Sequence, residues 1–379
     1  SLRALEPEHS ERRYRAMGVQ IVRAAARFIA PDKVEAGGVV IRARRFIVAT
    51  GAAPFIPAIP GLEQIRFLTS ESVFALDTLP DRLVILGAGP AGVELAQAFA
   101  RLGSRVTLVD QDRALAQEDV EFADVVTAAL RRDGVEIREH AHVTSAEATA
   151  AGFALNLEDG ARIEGAQLLV ATGRRPNVEG LGLEAAGVRK MRDGALAGAN
   201  LRTTNRRIHV IGAAAGGLQT SQAAAYHARL VLRAALFRLP VRATEESASR
   251  LLSTDPEFAA CGLGEAEARA RHGAVRVLRW PVAHHEKARI EGVVAGHAKL
   301  VVARNGRILG AAFAGPGAGE LIGMWQVAVA RRLKLSDMAA LALPHPTLNE
   351  VAQRAALAGF RPGASRWLRV LLGVLRKLG

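Results

Sequence analysis

Apolar residues in this 379-residue chain fall in short runs that glycine, proline and charged residues interrupt. The clearest pattern lies at 83–110, where an apolar run from Leu83 to Leu86 precedes a helix-forming segment and a second apolar run from Val106 to Val109. A continuous apolar run bounded by turn residues is typical of a strand buried on both faces, as in a parallel sheet. Residues 83–110 are therefore predicted to form a strand–helix–strand unit.

Three glycines, Gly87, Gly89 and Gly92, separate the first strand of this unit from its helix. Gly87 permits a tight turn, Gly89 lets the backbone approach a pyrophosphate, and Gly92 lets the helix pack closely on the sheet. The helix N-terminus then presents free N–H groups and a positive dipole end to the phosphates. Asp110, after the second strand, is placed to bond the ribose 2′-OH and would repel a 2′-phosphate. The unit is predicted to bind NAD, with NADH favoured over NADPH.

The rest of the chain carries weaker patterns. Residues 17–50 alternate apolar runs with turns (VQIVRA, ARFIAPDKVEAGG and RRFIVATG), which predicts the strands of a mixed sheet. After about residue 250, runs such as VRVLRWPV indicate antiparallel strands. The further predicted elements are helices near 119–132 and at 219–237, 317–332 and 348–358, strands in QLLVATG and IHVIG, and a hairpin that turns at Arg304, Asn305 and Gly306.

The composition limits location and partners. The net charge of +13 comes from scattered residues, most of them arginine, without the interleaved aromatics of an RNA-binding motif, so we expect no nucleic-acid partner. No apolar stretch approaches the roughly 18 residues of a membrane span, and no signal peptide is visible. Cys261 is the only cysteine, which excludes an internal disulfide and indicates a reducing, cytoplasmic setting. We expect it to be a small buried hydrophobe rather than a nucleophile.

Seven short motifs occur in one order: ATGAAPFIPAIPG (49–61), GAGPAGVE (87–94), ATGRRPN (171–177), IHVIGAAAGG (208–217), DPEFAACGLGEAEA (255–268), GAGELI (317–322) and HPTLNE (345–350). This ordered set resembles the pyridine nucleotide-disulfide oxidoreductases, and above all their dihydrolipoamide dehydrogenase and mercuric reductase branch. The resemblance implies an α/β fold class, with FAD- and NAD(P)-binding Rossmann-like domains and a C-terminal α+β dimerisation domain. The implied parts are a partial FAD-binding domain at 1–78, an NAD(P)-binding Rossmann domain at 79–176, a second FAD-binding segment at 177–248, a dimerisation domain at 249–362 and a basic amphipathic tail at 363–379.

The same resemblance implies an activity and a set of contacts. The family moves a hydride from NAD(P)H to FAD and passes the electrons to a redox-active disulfide and on to a substrate, as a homodimer. The implied nucleotide contacts are Gly87, Ala88, Gly89, Pro90, Ala91, Gly92, Val93, Asp110, Val143 and Gly173. The implied flavin contacts are Ala26, Thr50, Gly51, Ala52, Ala213, Gln219, Thr220, Ser221 and Gln222.

Three residues match catalytic positions of the family. His345 matches an acid–base histidine, and Glu350 matches the carboxylate that orients it. A thiol that leaves a disulfide needs such a proton donor and acceptor, and a carboxylate fixes the imidazole tautomer. The family's histidine serves the disulfide of the partner subunit, so activity would require the dimer; a surface or interface histidine is the alternative. Glu94 matches a glutamate that pairs with a lysine near the flavin, and its alternative is an ordinary helix acid.

Several features depart from the family pattern. The N-terminal FAD Rossmann unit and a CxxxxC pair are missing, so we expect the chain to be N-terminally truncated and incomplete for catalysis. Ala213 stands where the family has an aspartate on the flavin ribityl chain, a loss of about 1.5–3 kcal/mol that would weaken FAD binding without abolishing it. Pro90 replaces a bulky residue that shields the flavin in many relatives. A cysteine pair used in mercury handling is also absent, which argues against mercuric ion as substrate.

Two other functions stay open, and the sequence does not identify the electron acceptor. One is a dithiol-free flavoprotein that passes electrons from NADH to a quinone or a small oxidant. The tail at 363–379, apolar and basic, fits peripheral contact with an anionic membrane, or packing on its own domain or dimer mate. The other is a non-catalytic, nucleotide-binding dimeric module, which Ala213 and the missing Rossmann unit favour.

No metal site is predicted. His284 and His285 are adjacent, so on a strand their side chains would point to opposite faces, and with Glu286 they are expected in a solvated loop. His140 and His142 can share one face of a strand, but the sequence offers them no third ligand.

Overall fold

The computed structural model describes residues 10–189, 196–217, 219–244 and 248–359, and also residues 373, 374 and 376. In chain order the helices are α1 (Glu11–Ala16), α2 (Pro90–Leu102), α3 (Val120–Arg132), α4 (Ser221–Phe237), α5 (Glu265–His272), α6 (Glu286–Ile290), α7 (Ala318–Ala330), α8 (Leu335–Ala339) and α9 (Glu350–Gly359). The strands are β1 (Ala26–Ala30), β2 (Lys33–Ala36), β3 (Val39–Arg42), β4 (Phe46–Val48), β5 (Ala52–Pro54), β6 (Phe67–Thr69), β7 (Arg82–Leu86), β8 (Arg105–Val109), β9 (Glu136–Arg138), β10 (Val143–Thr149), β11 (Gly152–Leu157), β12 (Arg162–Gly165), β13 (Gln167–Val170), β14 (Arg174–Pro176), β15 (Ile208–Val210), β16 (Ser249–Leu252), β17 (Phe258–Gly262), β18 (Val275–Pro281), β19 (His297–Ala303) and β20 (Ile308–Ala314).

These elements form two compact units. Unit one contains Ser1–Ala53 and Arg174–Thr244, and unit two contains Pro54–Gly173 and Glu245–Gly379. The compact units divide at 53/54, and β6 pairs with β13 in a sheet of unit two. The domain bounds implied by the resemblance, among them 78/79, stay a prediction. The segments predicted as separate nucleotide-binding and dimerisation domains share unit two.

Unit one is built from small sheets. Strands β1, β2 and β3 form an antiparallel meander, while β4 pairs in parallel with β15, so the mixed sheet predicted for residues 17–50 is wrong. The run VQIVRA is not a strand, since no described strand pairs with it, and Val19 and Val22 are 47% and 43% exposed. Val231 of α4 packs into the core beside Ile208 and Val210 of β15.

The first part of unit two is a parallel sheet in the order β6-β13-β7-β8-β9. Strand β7 is buried along most of its length, which accounts for its continuous apolar run. Helix α3 begins at the N-cap Asp119, whose side chain accepts the Glu121 N–H, and it buries Phe122 and Leu130. The strand–helix–strand unit predicted at 83–110 is confirmed as β7-α2-β8. Strands β10, β11 and β12 form a separate antiparallel sheet.

The second part of unit two is an antiparallel sheet in the order β16-β17-β20-β19-β18. The predicted hairpin is confirmed, because β19 ends at Ala303 and β20 begins at Ile308. Trp325 of α7 is 1% exposed and packs beside Phe313 of β20 in the core. Rings of the two parts also meet, with the centroids of Phe122 and Phe258 5.1 Å apart.

No helix in the described part of the chain has both the length and the apolar character needed to cross a bilayer. Apart from residues 373, 374 and 376, the tail predicted at 363–379 lies outside the described residues. Its contact with a membrane stays a prediction.

Candidate functional site

The glycine-rich loop at 87–92 joins β7 to α2 at the carboxyl edge of the parallel sheet. Gly87 has a φ of +107°, and a Cβ there would lie 2.6 Å from the backbone carbonyl of Ala171. A Cβ on Gly92 would lie 1.9 Å from the Gly87 carbonyl oxygen. Only glycine fits at these two positions. The first contact also places the loop against 171–173, the segment that follows β13.

Hydrogen bonds hold the loop in this conformation. The Gly87 N–H donates to the Val109 carbonyl at 2.8 Å. The Ala88 N–H donates to Asp110 Oδ2 at 2.6 Å, and the Asp112 N–H donates to Asp110 Oδ1 at 2.9 Å. Asp110, predicted to bond a ribose, therefore also braces the loop, and each of its carboxylate oxygens keeps a second lone pair for a hydroxyl group.

The start of α2 is open. Gly89 is its N-cap, with φ −75°, and no side chain caps the helix. Pro90 at the first helical position has no N–H to leave unbonded, while first-turn N–H groups such as those of Ala91 and Gly92 have no partner within a helix. A Cβ on Gly89 would meet no atom within 4 Å, so the protein's own packing does not require glycine there. This arrangement fits the phosphates of a dinucleotide.

The remaining predicted nucleotide residues fall into two groups. Gly173 has a φ of +126° and open space at its Cβ position, close to the loop. Val143 and Val93 are 9% and 0% exposed, and the Val143 side chain packs with Leu86 and Val109 in the core. Both valines therefore support the loop from the protein interior.

Glu94, in the second turn of α2, has a partner that the sequence did not indicate. Its Oε1 accepts a hydrogen bond from the Ser253 N–H at 2.6 Å, just after β16. Among the residues that the structure describes, no lysine or arginine forms an ion pair with Glu94. Its predicted pairing with a lysine near the flavin stays a prediction.

In unit one, the segments that follow β4 and β15 lie at one edge, because these strands are parallel. Thr50 Oγ1 donates to the Asn177 carbonyl at 2.6 Å, and Asn177 Nδ2 donates to the Thr50 carbonyl at 3.0 Å. Gly212 has a φ of +64° and lies against α4, where its Cβ would be 3.1 Å from that of Ala224. Ala26 instead begins β1, in a different sheet. The predicted flavin residues in the segments after β4 and β15 and at the start of α4 are Thr50, Gly51, Ala52, Ala213, Gln219, Thr220, Ser221 and Gln222.

Helix α4 differs from α2 at its start. Thr220 is its N-cap, and the Thr220 side chain accepts the Ala223 N–H at 3.2 Å. Ala213, in the 3₁₀ turn Gly212–Ala215, offers only a methyl group. One first-turn N–H of α4 is thus satisfied by the Thr220 side chain, whereas no side chain caps the start of α2.

His345 and Glu350 form a carboxylate–imidazole pair. His345 Nδ1 lies 3.3 Å from Glu350 Oε1 and 3.1 Å from Oε2. The His345 side chain is 58% exposed and the Glu350 side chain 10%. The Thr347 N–H donates to Glu350 Oε2 at 3.3 Å, which helps to fix the carboxylate. With Nδ1 held by Glu350, Nε2 is the nitrogen that can exchange a proton with a ligand.

His285 belongs to the same cluster, and sequence reasoning missed it. The solvated loop predicted for 284–286 is wrong for His285, which is 4% exposed and places Nε2 3.1 Å from Glu350 Oε2. The chain turns as a 3₁₀ helix over Val282–His284 instead of continuing as a strand, and His285 follows that turn. Burial alone would raise the pKa of Glu350, but hydrogen bonds from the Thr347 N–H, His345 and His285 outweigh it and lower the pKa.

A second charge cluster joins α3 to the antiparallel sheet. Lys299 of β19 is 3% exposed, and its Nζ lies 2.7 Å from Asp119 Oδ2, 2.6 Å from Glu121 Oε1 and 2.9 Å from Glu265 Oε2. Hydrogen bonds from Arg279 and Lys299 lower the pKa of Glu121 to about 2. Those from Lys299 and a neighbouring arginine lower the pKa of Glu265 to about 2 as well. No sequence pattern pointed to this junction.

The single thiol is buried. Cys261 lies on β17 and is 2% exposed, and burial raises the pKa of its thiol to about 12. The expectation of a small buried hydrophobe is confirmed. Within the described ranges, no three His, Cys, Asp or Glu side chains are placed to hold a metal ion.

Two family models match this chain. The model of the pyridine nucleotide-disulphide oxidoreductases matches residues 4–228. The model of the dimerisation domain of those enzymes matches residues 248–356.

The chain is also similar to individual proteins. A mercuric reductase from Bacillus cereus is 33% identical over 346 residues, which are 90% of this chain and 55% of that protein. Dihydrolipoyl dehydrogenase 3 from Pseudomonas aeruginosa is 32% identical over 360 residues, 91% of this chain and 76% of that protein. The chain spans only 55–63% of the length of three mercuric reductases that it matches.

Solved structures show the same likeness. LpdA from Mycobacterium tuberculosis matches with a TM-score of 0.83 and 29% identity, over 90% of this chain and 78% of that one. The HOCl-induced flavoprotein disulfide reductase RclA from Escherichia coli matches with a TM-score of 0.80 and 28% identity, over 88% of this chain and 78% of that one. The predicted α/β fold class is confirmed.

Proposed function

The chain belongs to the pyridine nucleotide-disulphide oxidoreductase family. We propose that it acts as an FAD-dependent NAD(P)H oxidoreductase. Bound flavin would supply the chemistry, by taking a hydride from NADH and passing electrons to a disulfide or another acceptor. The observation that carries the proposal is the uncapped start of α2, with open space at Gly89 and a loop that Asp110 braces.

The residues of the loop at 87–92 and Asp110 explain the proposed binding of a nucleotide and the proposed preference for NADH over NADPH. The first-turn N–H groups of α2 donate to the phosphates, and each charge-assisted hydrogen bond contributes about 1.5–3 kcal/mol. Asp110 accepts a hydrogen bond from a ribose hydroxyl through its remaining lone pairs. A 2′-phosphate at that point would be repelled by the carboxylate, so NADH is preferred over NADPH.

The edge formed after β4 and β15 would hold the flavin. Its backbone is ordered by the Thr50–Asn177 hydrogen bonds and by the contact between Gly212 and α4. Ala213 supplies no acceptor to the ribityl hydroxyls, so FAD is held more weakly than an aspartate would hold it.

His345 is the proposed acid–base group. Its Nε2 accepts or donates a proton, while Glu350 holds Nδ1 and stabilises the imidazolium. The exposure of His345 fits a substrate that arrives from outside the chain, such as a disulfide carried by a dimer mate. We accordingly propose a homodimer, which the match to a dimerisation domain supports.

The candidate functions differ in the electron acceptor that each requires. Cys261 is the only cysteine of the 379 residues and is buried, so a redox disulfide would have to come from outside these residues. A quinone or a small oxidant is the dithiol-free alternative. Ala213 favours a third function, a non-catalytic dimeric module that binds nucleotide alone.

Two spectra distinguish the oxidoreductase from the module. The visible spectrum of the purified chain shows whether flavin is bound, and anaerobic addition of NADH shows whether that flavin is reduced. Bleaching of bound flavin supports the oxidoreductase, and a colourless protein that binds NADH supports the module. A chain that shows no saturable association with NADH contradicts both. Sedimentation should give a dimer, and a monomer at micromolar concentration would contradict the assembly.

A further inference from the structure

Unit one contains an open cavity of about 540 Å³ that none of the functions above uses. Three arginines line it: Arg45 from just before β4, Arg202 from the segment that bridges β15, and Arg238 from the end of α4. His209 of β15 also lines it, and none of the lining residues that the structure describes is acidic. Its volume lies within the roughly 300–1,000 Å³ of small-molecule sites.

Two buried polar atoms at this cavity have no partner. Arg202 Nε and His209 Nδ1 form no hydrogen bond within the described part of the chain. The His209 side chain belongs to a residue that is 1% exposed. A buried donor or acceptor without a partner costs about 1–3 kcal/mol, so the polar groups of these two lining residues are not satisfied by the described part of the chain.

The positive charge around the cavity favours an anionic ligand. Three guanidinium groups from separate segments give a charge of about +3, whereas the carboxyl end of α4 contributes only about −0.5. A phosphate group presents several oxygens in different directions and so accepts from guanidiniums on different segments, as Arg favours. A remaining wall of Leu239, Pro240 and Val241 suits a less polar portion of the ligand.

We propose that this cavity is a binding site for a small phosphorylated metabolite, held by Arg45, Arg202, Arg238 and His209. It lies within unit one and depends on neither the loop at Gly89 nor the chemistry of His345. The pKa of His209 is lowered by burial and by the charges of Arg202 and Arg45. A bound phosphate opposes both charges, so it raises the pKa of His209.

Inorganic pyrophosphate is the probe, titrated into the whole chain by calorimetry at constant ionic strength. Arg238→Gln is the test variant, because Arg238 is exposed and its loss leaves the core intact. Arg206→Gln is the matched control, since Arg206 is an exposed arginine of the same unit that does not line the cavity. We expect saturable binding that weakens about tenfold or more in Arg238→Gln and is unchanged in Arg206→Gln.

Two further measurements make the result specific. NMR titration of the His209 ring should show its pKa rise when pyrophosphate is saturating. Citrate, a carboxylate probe of comparable charge, should bind more weakly than pyrophosphate. Equal binding by Arg238→Gln and Arg206→Gln, an unchanged His209 pKa, or equal affinity for citrate would each overturn the proposal.

Discussion

Replacement of Gly89 by alanine tests the nucleotide site most directly. A Cβ at this position meets no protein atom within 4 Å, so the variant can fold with the native loop. The added methyl group instead occupies the space beside the start of α2, where the phosphates are proposed to lie. A change that leaves the protein intact but blocks its ligand separates binding from folding.

The size of the effect follows from the contacts that the methyl group displaces. Loss of one charge-assisted hydrogen bond from a first-turn N–H to a phosphate costs about 1.5–3 kcal/mol. Since about 1.4 kcal/mol corresponds to a tenfold change in Kd, NADH should bind Gly89→Ala about 10- to 100-fold more weakly. The N-cap preference of glycine over alanine adds a folding cost of about 1 kcal/mol or less.

Gly264→Ala is the matched control. Gly264 is the N-cap of α5, with φ −67°, no side-chain cap and open space at its Cβ position, as at Gly89. Both variants therefore carry the same N-cap cost. The Kd for NADH is measured by nucleotide fluorescence, and stability by urea unfolding. Wild-type affinity in Gly89→Ala would refute the phosphate position, and an equal loss in Gly264→Ala would show that the effect comes from helix capping.

Three more outcomes are expected. Lys299→Met should lower the free energy of unfolding by up to about 3 kcal/mol, because it leaves three partly exposed carboxylates without their shared cation. Lys287→Met, which breaks an exposed helical ion pair, should cost less than about 1 kcal/mol in the same urea assay. In the folded protein the pKa of Glu121 and of Glu265 lies near 2, below the ordinary 4.5. The stability that these two carboxylates contribute is therefore present above about pH 4.5 and is lost as the pH falls toward 2. Urea midpoints that do not fall over this range would contradict the ion pairs around Lys299. Ala213→Asp should tighten FAD binding by roughly tenfold or more, measured by flavin fluorescence, and an unchanged affinity would place the ribityl chain elsewhere.

The sequence predicted those parts of the molecule that depend on contacts between residues close together in the chain. Strand β7, the loop and α2 follow one another, and the steric demands at Gly87 and Gly92 come from backbone that lies within or against that unit. The pairing of His345 with Glu350 spans five residues and was likewise visible in the sequence. In each case the interacting groups are close in the chain or carry a recognisable motif.

The features that sequence reasoning missed are long-range. His285 reaches Glu350 from 65 residues away, and Lys299 reaches Asp119 from 180 residues away. Neither contact has a periodic pattern, because each depends on how sheets and helices of unit two pack. The place of β6 in unit two was not visible in the sequence for a similar reason, since β6 is short and is defined by its pairing with β13.

The two units differ in the groups that they offer to a cofactor, and this difference predicts how NADH binds when flavin is absent. Val109, Asp110 and Ala171, which position the loop, all belong to unit two, so the groups proposed to hold the phosphates and the ribose lie within that unit. The proposed flavin edge in unit one instead lacks a carboxylate at Ala213, and α4 has its first turn capped by Thr220. The proposed nucleotide site therefore has no side-chain cap on its helix and a backbone that hydrogen bonds hold in place, while the proposed flavin edge has a capped helix and no carboxylate at Ala213. NADH binding should therefore persist in a flavin-free chain, and a loss of binding without FAD would place part of the phosphate and ribose site outside unit two.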